Sequence, residues 1–187
     1  MLLNRHSELE GRHARLSASS YHWVNYDADK LIDTWYTQQA AARGTRLHHL
    51  AKLLIQDRVK LPDDGKTLSM YVNDCIGWQM TPEQPLKYSD NVFGTADALS
   101  FKNNVLRISD YKSGVTDAKV TQLEVYAAYF CLEYQIKPFE LSGIELRIYQ
   151  NDAIEEYIGD PVTIMMIADK AVAFDKILNQ LREEGQL

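Results

Sequence analysis

Two stretches with strand patterning, 92–101 and 105–112, flank Asn103-Asn104 and constrain this 187-residue chain more than any other feature. Asparagine tolerates the positive φ that a two-residue hairpin turn demands. Counting outward from that turn sets Lys102 against Val105 and Phe101 against Leu106, and the same count brings Asp97 opposite Asp110. Side chains of one parity share a face, so Asp110 and Lys112 lie with Leu106 and Ile108, and Asp97 lies with Thr95, Leu99 and Phe101. That face is otherwise apolar. Opposed residues have Cβ atoms about 4.5–5.5 Å apart, where like charges destabilise a sheet. Three arrangements relieve the repulsion: a divalent cation, a proton shared between the acids, or a register slipped by one residue that sends Asp110 to the other face. Mg²⁺ or Mn²⁺ suits the first, because such ions take oxygen ligands and usually keep water and substrate phosphate beside one or two carboxylates. Lys112 then has two readings. It is a salt-bridge partner of the acids, or it orients and deprotonates an attacking water while stabilising charge on a phosphate.

Helical spacing precedes the hairpin. From Asp27, an N-cap residue, the pattern runs through Leu31, Ile32, Trp35, Tyr36 and Ala40 to Gly44, a break or a point of close packing, and resumes as Leu47, Leu50, Ala51 and Leu54. His48 falls at the edge of the second stripe, where an imidazole is a structural hydrogen bonder or a ligand reaching into a cleft; His49 points away. Arg43, Arg46, Lys52 and Arg58 read equally as phosphate contacts or as a solvated helix side. Leu61 to Gly65 reads as a loop, Leu68 to Ile76 as a short helix ending near Gly77, and Leu86 to Tyr88 as a short strand. After Lys112, Thr116-Asp117 can cap a helix with apolar positions from Val120 to Tyr134, in which Gln122 and Tyr126 share a flank. Both can touch a phosphate or a base, and both also read as ordinary flank residues. A strand from Ile144 to Tyr149, a turn at Asn151-Asp152, a strand from Ile154 to Ile158 and a helix from Ile164 to Leu181 complete an α/β chain with a mixed sheet.

Composition narrows the function. Two cysteines exclude a disulfide scaffold and a four-cysteine zinc or iron–sulfur site. No apolar run approaches the roughly 18 residues of a membrane span, and the first residues lack a leader's apolar stretch, so a cytoplasmic protein is expected. The net charge of −6 conceals an asymmetry, with residues 1–60 at +3 and residues 61–187 at −9. A basic face beside a carboxylate-rich site is compatible with phosphate contact, as is plain solvated charge.

Gly44-Thr45-Arg46-Leu47-His48, Gly94-Thr95-Ala96-Asp97, Ile108-Ser109-Asp110-Tyr111-Lys112-Ser113-Gly114 and Gln122-Leu123-Glu124-Val125-Tyr126 resemble the four ordered motifs of RecB-like nucleases, the RecB and CRISPR-adaptation branch of the PD-(D/E)XK superfamily. Leu16-Ser17-Ala18-Ser19 resembles the serine motif that often opens such domains. The resemblance implies a restriction-endonuclease-like fold, a central mixed sheet flanked by helices. One nuclease domain over 1–187 is expected, with 1–26 as its serine-motif segment and 61–85 as a variable insertion. It further implies that His48, Asp97, Asp110 and the carbonyl of Tyr111 ligate Mg²⁺ or Mn²⁺, that Lys112 is the catalytic lysine beside Asp97 and Asp110, and that Gln122 and Tyr126 meet the substrate. The implied reaction is phosphodiester hydrolysis by metal-activated water, leaving 5′-phosphate on single- or double-stranded DNA. An exonuclease of recombination or repair, of phage or mobile-element type, is favoured over an endonuclease, with a homo-oligomer and a recombination partner protein among the implied associations. The sequence departs from some relatives. Val24-Asn25-Tyr26-Asp27 and the C-terminus lack the cysteines of an iron–sulfur cluster, so none is expected, and Lys52 stands where relatives often have an acid. Rival readings are a catalytically silent nuclease fold that binds nucleic acid or a protein partner, and a metal-free structural domain.

Overall fold

A computed structural model describes residues 14, 16–18, 21–115 and 118–184. Residues 1–42 and 43–187 form two compact units. In the first, the Trp23 indole donates to the Ser17 carbonyl at 2.9 Å. Of the serine motif, Ser19 lies outside the described residues, as does the Thr116-Asp117 cap. Helix α1 (Ala28–Gln56) starts where Asp27 Oδ1 accepts from the Lys30 amide at 2.7 Å, and it passes Gly44 without a break.

The second unit is built on five strands: β1 (Thr81–Lys87), β2 (Phe93–Lys102), β3 (Val105–Tyr111), β4 (Gly143–Gln150) and β5 (Ala153–Ile158), side by side in that order. All neighbours are antiparallel except β3 and β4. That parallel pair needs a crossover, supplied by α3 (Thr121–Tyr134). Two of the three hairpins, β2–β3 and β4–β5, have two-residue turns that begin with asparagine: φ is 51° and 61° at Asn103 and Asn104, and 53° and 56° at Asn151 and Asp152. Lys102 pairs Val105 and Phe101 pairs Leu106, as the turn dictates, and the ladder runs on to Ala98 against Ser109.

Parity divides the sheet into two faces. Leu99, Leu106, Ile108, Ile144, Leu146 and Ile148 pack under α3 and α4 (Pro161–Glu183). Ala98, Tyr111 and Tyr149 pack with α2 (Thr67–Gly77) and with Ala51 and Ile55 of α1. Asp160 caps α4, accepting from the amides of Val162 and Thr163, and Pro161 occupies the first helical position. The stretch read as a variable insertion, 61–85, carries α2 and most of β1, and Tyr71, Val72 and Cys75 of α2 are buried. β1 begins five residues before the strand expected at Leu86. Pro82 and Pro85 hide it, yet prolines are tolerated on an edge strand, where the missing N–H faces outward.

Leu146 is fully buried in β4, which has neighbours on both sides. Leu146→Ala is therefore expected to cost about 2–5 kcal/mol through lost burial and a residual cavity, read as a lower urea midpoint at unchanged slope. Among the described residues no helix is long and apolar enough to cross a membrane.

Candidate metal centre

The site begins where the β2–β3 ladder stops. One step beyond Ala98 and Ser109, the strands carry Asp97 and Asp110, and the Tyr111 amide donates to Asp97 Oδ2 at 2.9 Å. A side-chain carboxylate thus satisfies that backbone donor, which fixes its orientation. The Tyr111 ring is buried and stacks toward Tyr71, and the imidazole of His48 meets it edge-on with centroids 5.2 Å apart. His48 Nδ1 lies 3.5 Å from Asp97 Oδ2. Ala51 and Ile55, three and seven residues on, are the buried residues of α1 and seat the helix so that His48 reaches the acid. Gly44, one turn earlier, permits the approach: a Cβ there would come within 2.9 Å of Ser113 Oγ.

Asp110 has a different partner. Its side chain is 4% exposed, and Lys112 Nζ sits 3.0 Å from both carboxylate oxygens. The ammonium also donates to Gln122 Oε1 at 3.2 Å, and Gln122 Nε2 donates to the Tyr126 hydroxyl at 3.5 Å. The Lys112 backbone is held by its N–H to the Tyr149 carbonyl. Gly94 leaves room for the Tyr126 ring, whose Cε1 would lie 3.1 Å from a Cβ there. The ammonium's hydrogen bond goes to Asp110 Oδ1; buried Oδ2 accepts none and meets the ammonium by charge alone. Burial first, and then the charge of Asp110, push the Asp97 carboxyl up to about 6, against the opposing pull of the Tyr111 amide, His48 and Lys112.

Glu83 joins this cluster without standing out in the sequence. The β1–β2 register, Pro82 against Ala98 and Gln84 against Ala96, puts Glu83 opposite Asp97, although the two residues themselves are unpaired. Glu83 has φ of 52°, a left-handed conformation that costs a non-glycine residue about 1–3 kcal/mol. His48, Glu83 and Asp97 each offer one ligand atom, all within 4.8 Å of one another, and among the described residues this set can hold a metal ion.

Seven expected site residues, His48, Asp97, Asp110, Tyr111, Lys112, Gln122 and Tyr126, are linked by these contacts. Arg43 lines a groove of about 390 Å³ with Lys66, Thr67, Lys112, Ser113 and Asn151. Arg46 stands exposed on α1. The expected facing of Asp97 and Asp110 holds as a register position but not as a backbone pair, because the Tyr111 amide turns to the Asp97 side chain.

No family model and no curated protein matches this chain. A crystal structure of SSO0001 is similar over 58% of this chain and 57% of that one, at 15% identity and a TM-score of 0.34. This likeness is too slight to assign a fold.

Proposed function

We propose that the chain is a Mg²⁺- or Mn²⁺-dependent deoxyribonuclease with a PD-(D/E)XK-type site, an exonuclease serving recombination or repair. The observation that carries this reading is the crowding of carboxylates around Asp97, with a buried aspartate, Asp110, paired to the half-buried Lys112 beside it. Burying acids against each other is unfavourable unless a cation is held there, and the mixed His and carboxylate donors fit a small divalent ion. His48, Asp97 and Asp110 would hold it, with the Tyr111 carbonyl. When bound, such an ion polarises the phosphate and acidifies a water.

The chain's own groups do the rest. Lys112, held by Asp110 and Gln122, presents its ammonium where water approaches phosphorus and stabilises the charge that builds on the non-bridging oxygens. Water oxygen bonds to phosphorus, the P–O3′ bond breaks, and the products are a 5′-phosphate and a 3′-hydroxyl. Tyr126 and Gln122 flank the strand, and the groove bearing Arg43 and Lys66 receives a neighbouring phosphate.

A gel time course on end-labelled linear and closed circular DNA, with Mg²⁺ or Mn²⁺ and with EDTA, tests the proposal. Metal-dependent loss of linear DNA with circles spared is the expected result. Cutting of circles would reassign it to the endonucleases, and no cleavage of DNA or RNA by folded, metal-loaded protein would leave a silent nucleic-acid or protein-binding module.

A further inference from the structure

We infer that Glu83 is a further metal ligand, joining His48 and Asp97 around the cation proposed above, with Asp110 paired to Lys112 in the metal-free protein. This rests on the metal-centre reading above and adds to it a residue on a third strand. On a small octahedral ion with bonds of about 2.1 Å, adjacent ligands are about 3.0 Å apart and opposite ones about 4.2 Å. The three donor atoms already fall within 4.8 Å of one another, and His48 Nδ1 and Asp97 Oδ2 are 3.5 Å apart. Binding therefore needs only a small contraction.

A second observation comes from the neighbouring strand. Asp110, with a side chain 4% exposed, carries an oxygen, Oδ2, that accepts no hydrogen bond and is paired only by charge with the Lys112 ammonium 3.0 Å away. Negative charge thus accumulates from three adjacent strands, β1, β2 and β3. The Lys112 ammonium pairs with Asp110 and leaves Glu83 and Asp97 facing each other beside His48. Imidazole with two carboxylates suits Mn²⁺ better than Mg²⁺, so Mn²⁺ is the sharper probe.

The test is calorimetric titration of the whole chain with MnCl₂, together with melting in EDTA, for wild type, Asp97→Asn, Glu83→Gln and Glu83→Gly. Glycine adopts φ near 52° freely, so Glu83→Gly keeps the backbone and removes the carboxylate. Both Glu83 variants are expected to bind Mn²⁺ at least tenfold more weakly than wild type while melting no lower in EDTA, and Asp97→Asn is expected to bind none. Wild-type affinity in the Glu83 variants, with binding lost in Asp97→Asn, would overturn this inference and leave the metal centre standing. A lower melting temperature of Glu83→Gly in EDTA would mark Glu83 as structural and also overturn it. Failure of wild type to bind Mn²⁺ would remove the metal centre itself.

Discussion

Lys112→Ala is expected to slow DNA cleavage by about 10²–10⁴-fold in saturating Mn²⁺ while Mn²⁺ affinity changes little. Lys112 touches Asp110 and Gln122, and an ammonium has no lone pair to offer a cation, so its loss falls on the chemical step. Truncation also leaves Asp110 buried without its cation partner, which lowers stability in EDTA, so the comparison belongs in Mn²⁺. Lys112→Arg is not expected to rescue the rate. A planar guanidinium would still pair with Asp110, but its charge is spread over a fork and cannot occupy the point held by Nζ between Asp110 and Gln122. Single-turnover rates and Mn²⁺ titrations on the same preparations check both halves. A parallel loss of metal affinity and rate would assign Lys112 to the upkeep of the centre instead of the reaction.

Asp97→Asn carries the second large effect, in opposite directions with and without metal. The Asp97 carboxyl is raised from 3.8 to about 6 in the folded chain, so between these values the folded state holds a proton that the unfolded state has released. The metal-free protein therefore loses stability as pH rises from about 4 to about 6. Asparagine removes that slope, and at pH 7 in EDTA the variant is expected to melt higher than wild type. Adding Mn²⁺ at pH 7 reverses the order. A ligand that binds only the folded state stabilises by about 2.7 kcal/mol at a hundredfold excess over Kd, and wild type alone gains this. Below pH 6 protons compete for Asp97, and the Mn²⁺-dependent gain shrinks. Melting curves from pH 4 to 8, with EDTA and with Mn²⁺, read each of these signs. A wild type whose stability in EDTA is flat across that range would contradict the strain assigned to Asp97.

Much of this was legible in the sequence, for a definable reason. Asn103-Asn104 fixes a two-residue turn, and a turn of fixed length fixes register, so the relation of Asp97 to Asp110 follows by counting. Helical period placed His48 at the edge of the stripe containing Ala51, the side of α1 that is buried, but its role as a ligand was implied only by the resemblance. The shared flank of Gln122 and Tyr126 followed from their spacing in α3, and their placing at the site from the resemblance. Glu83 was not legible. Its position depends on β1, most of which lies in the stretch read as a variable insertion, and on a left-handed backbone at a glutamate, which no local pattern announces. The hydrogen bond from the Tyr111 amide to Asp97 was likewise hidden, since side-chain capture of a strand amide is decided by tertiary approach and not by periodicity. The 61–85 stretch shows the same limit: α2 matches its expected span, yet its burial against Tyr111 and Tyr149 emerges only with the sheet assembled.

Anomalous diffraction at the manganese absorption edge, from crystals soaked in MnCl₂, locates the cation itself. A strong anomalous peak is expected about 2.1 Å from a carboxylate oxygen of Asp97, with His48 in the same coordination shell. Saturating Mn²⁺ with no peak at Asp97, or with peaks confined to surface carboxylates elsewhere, would contradict it.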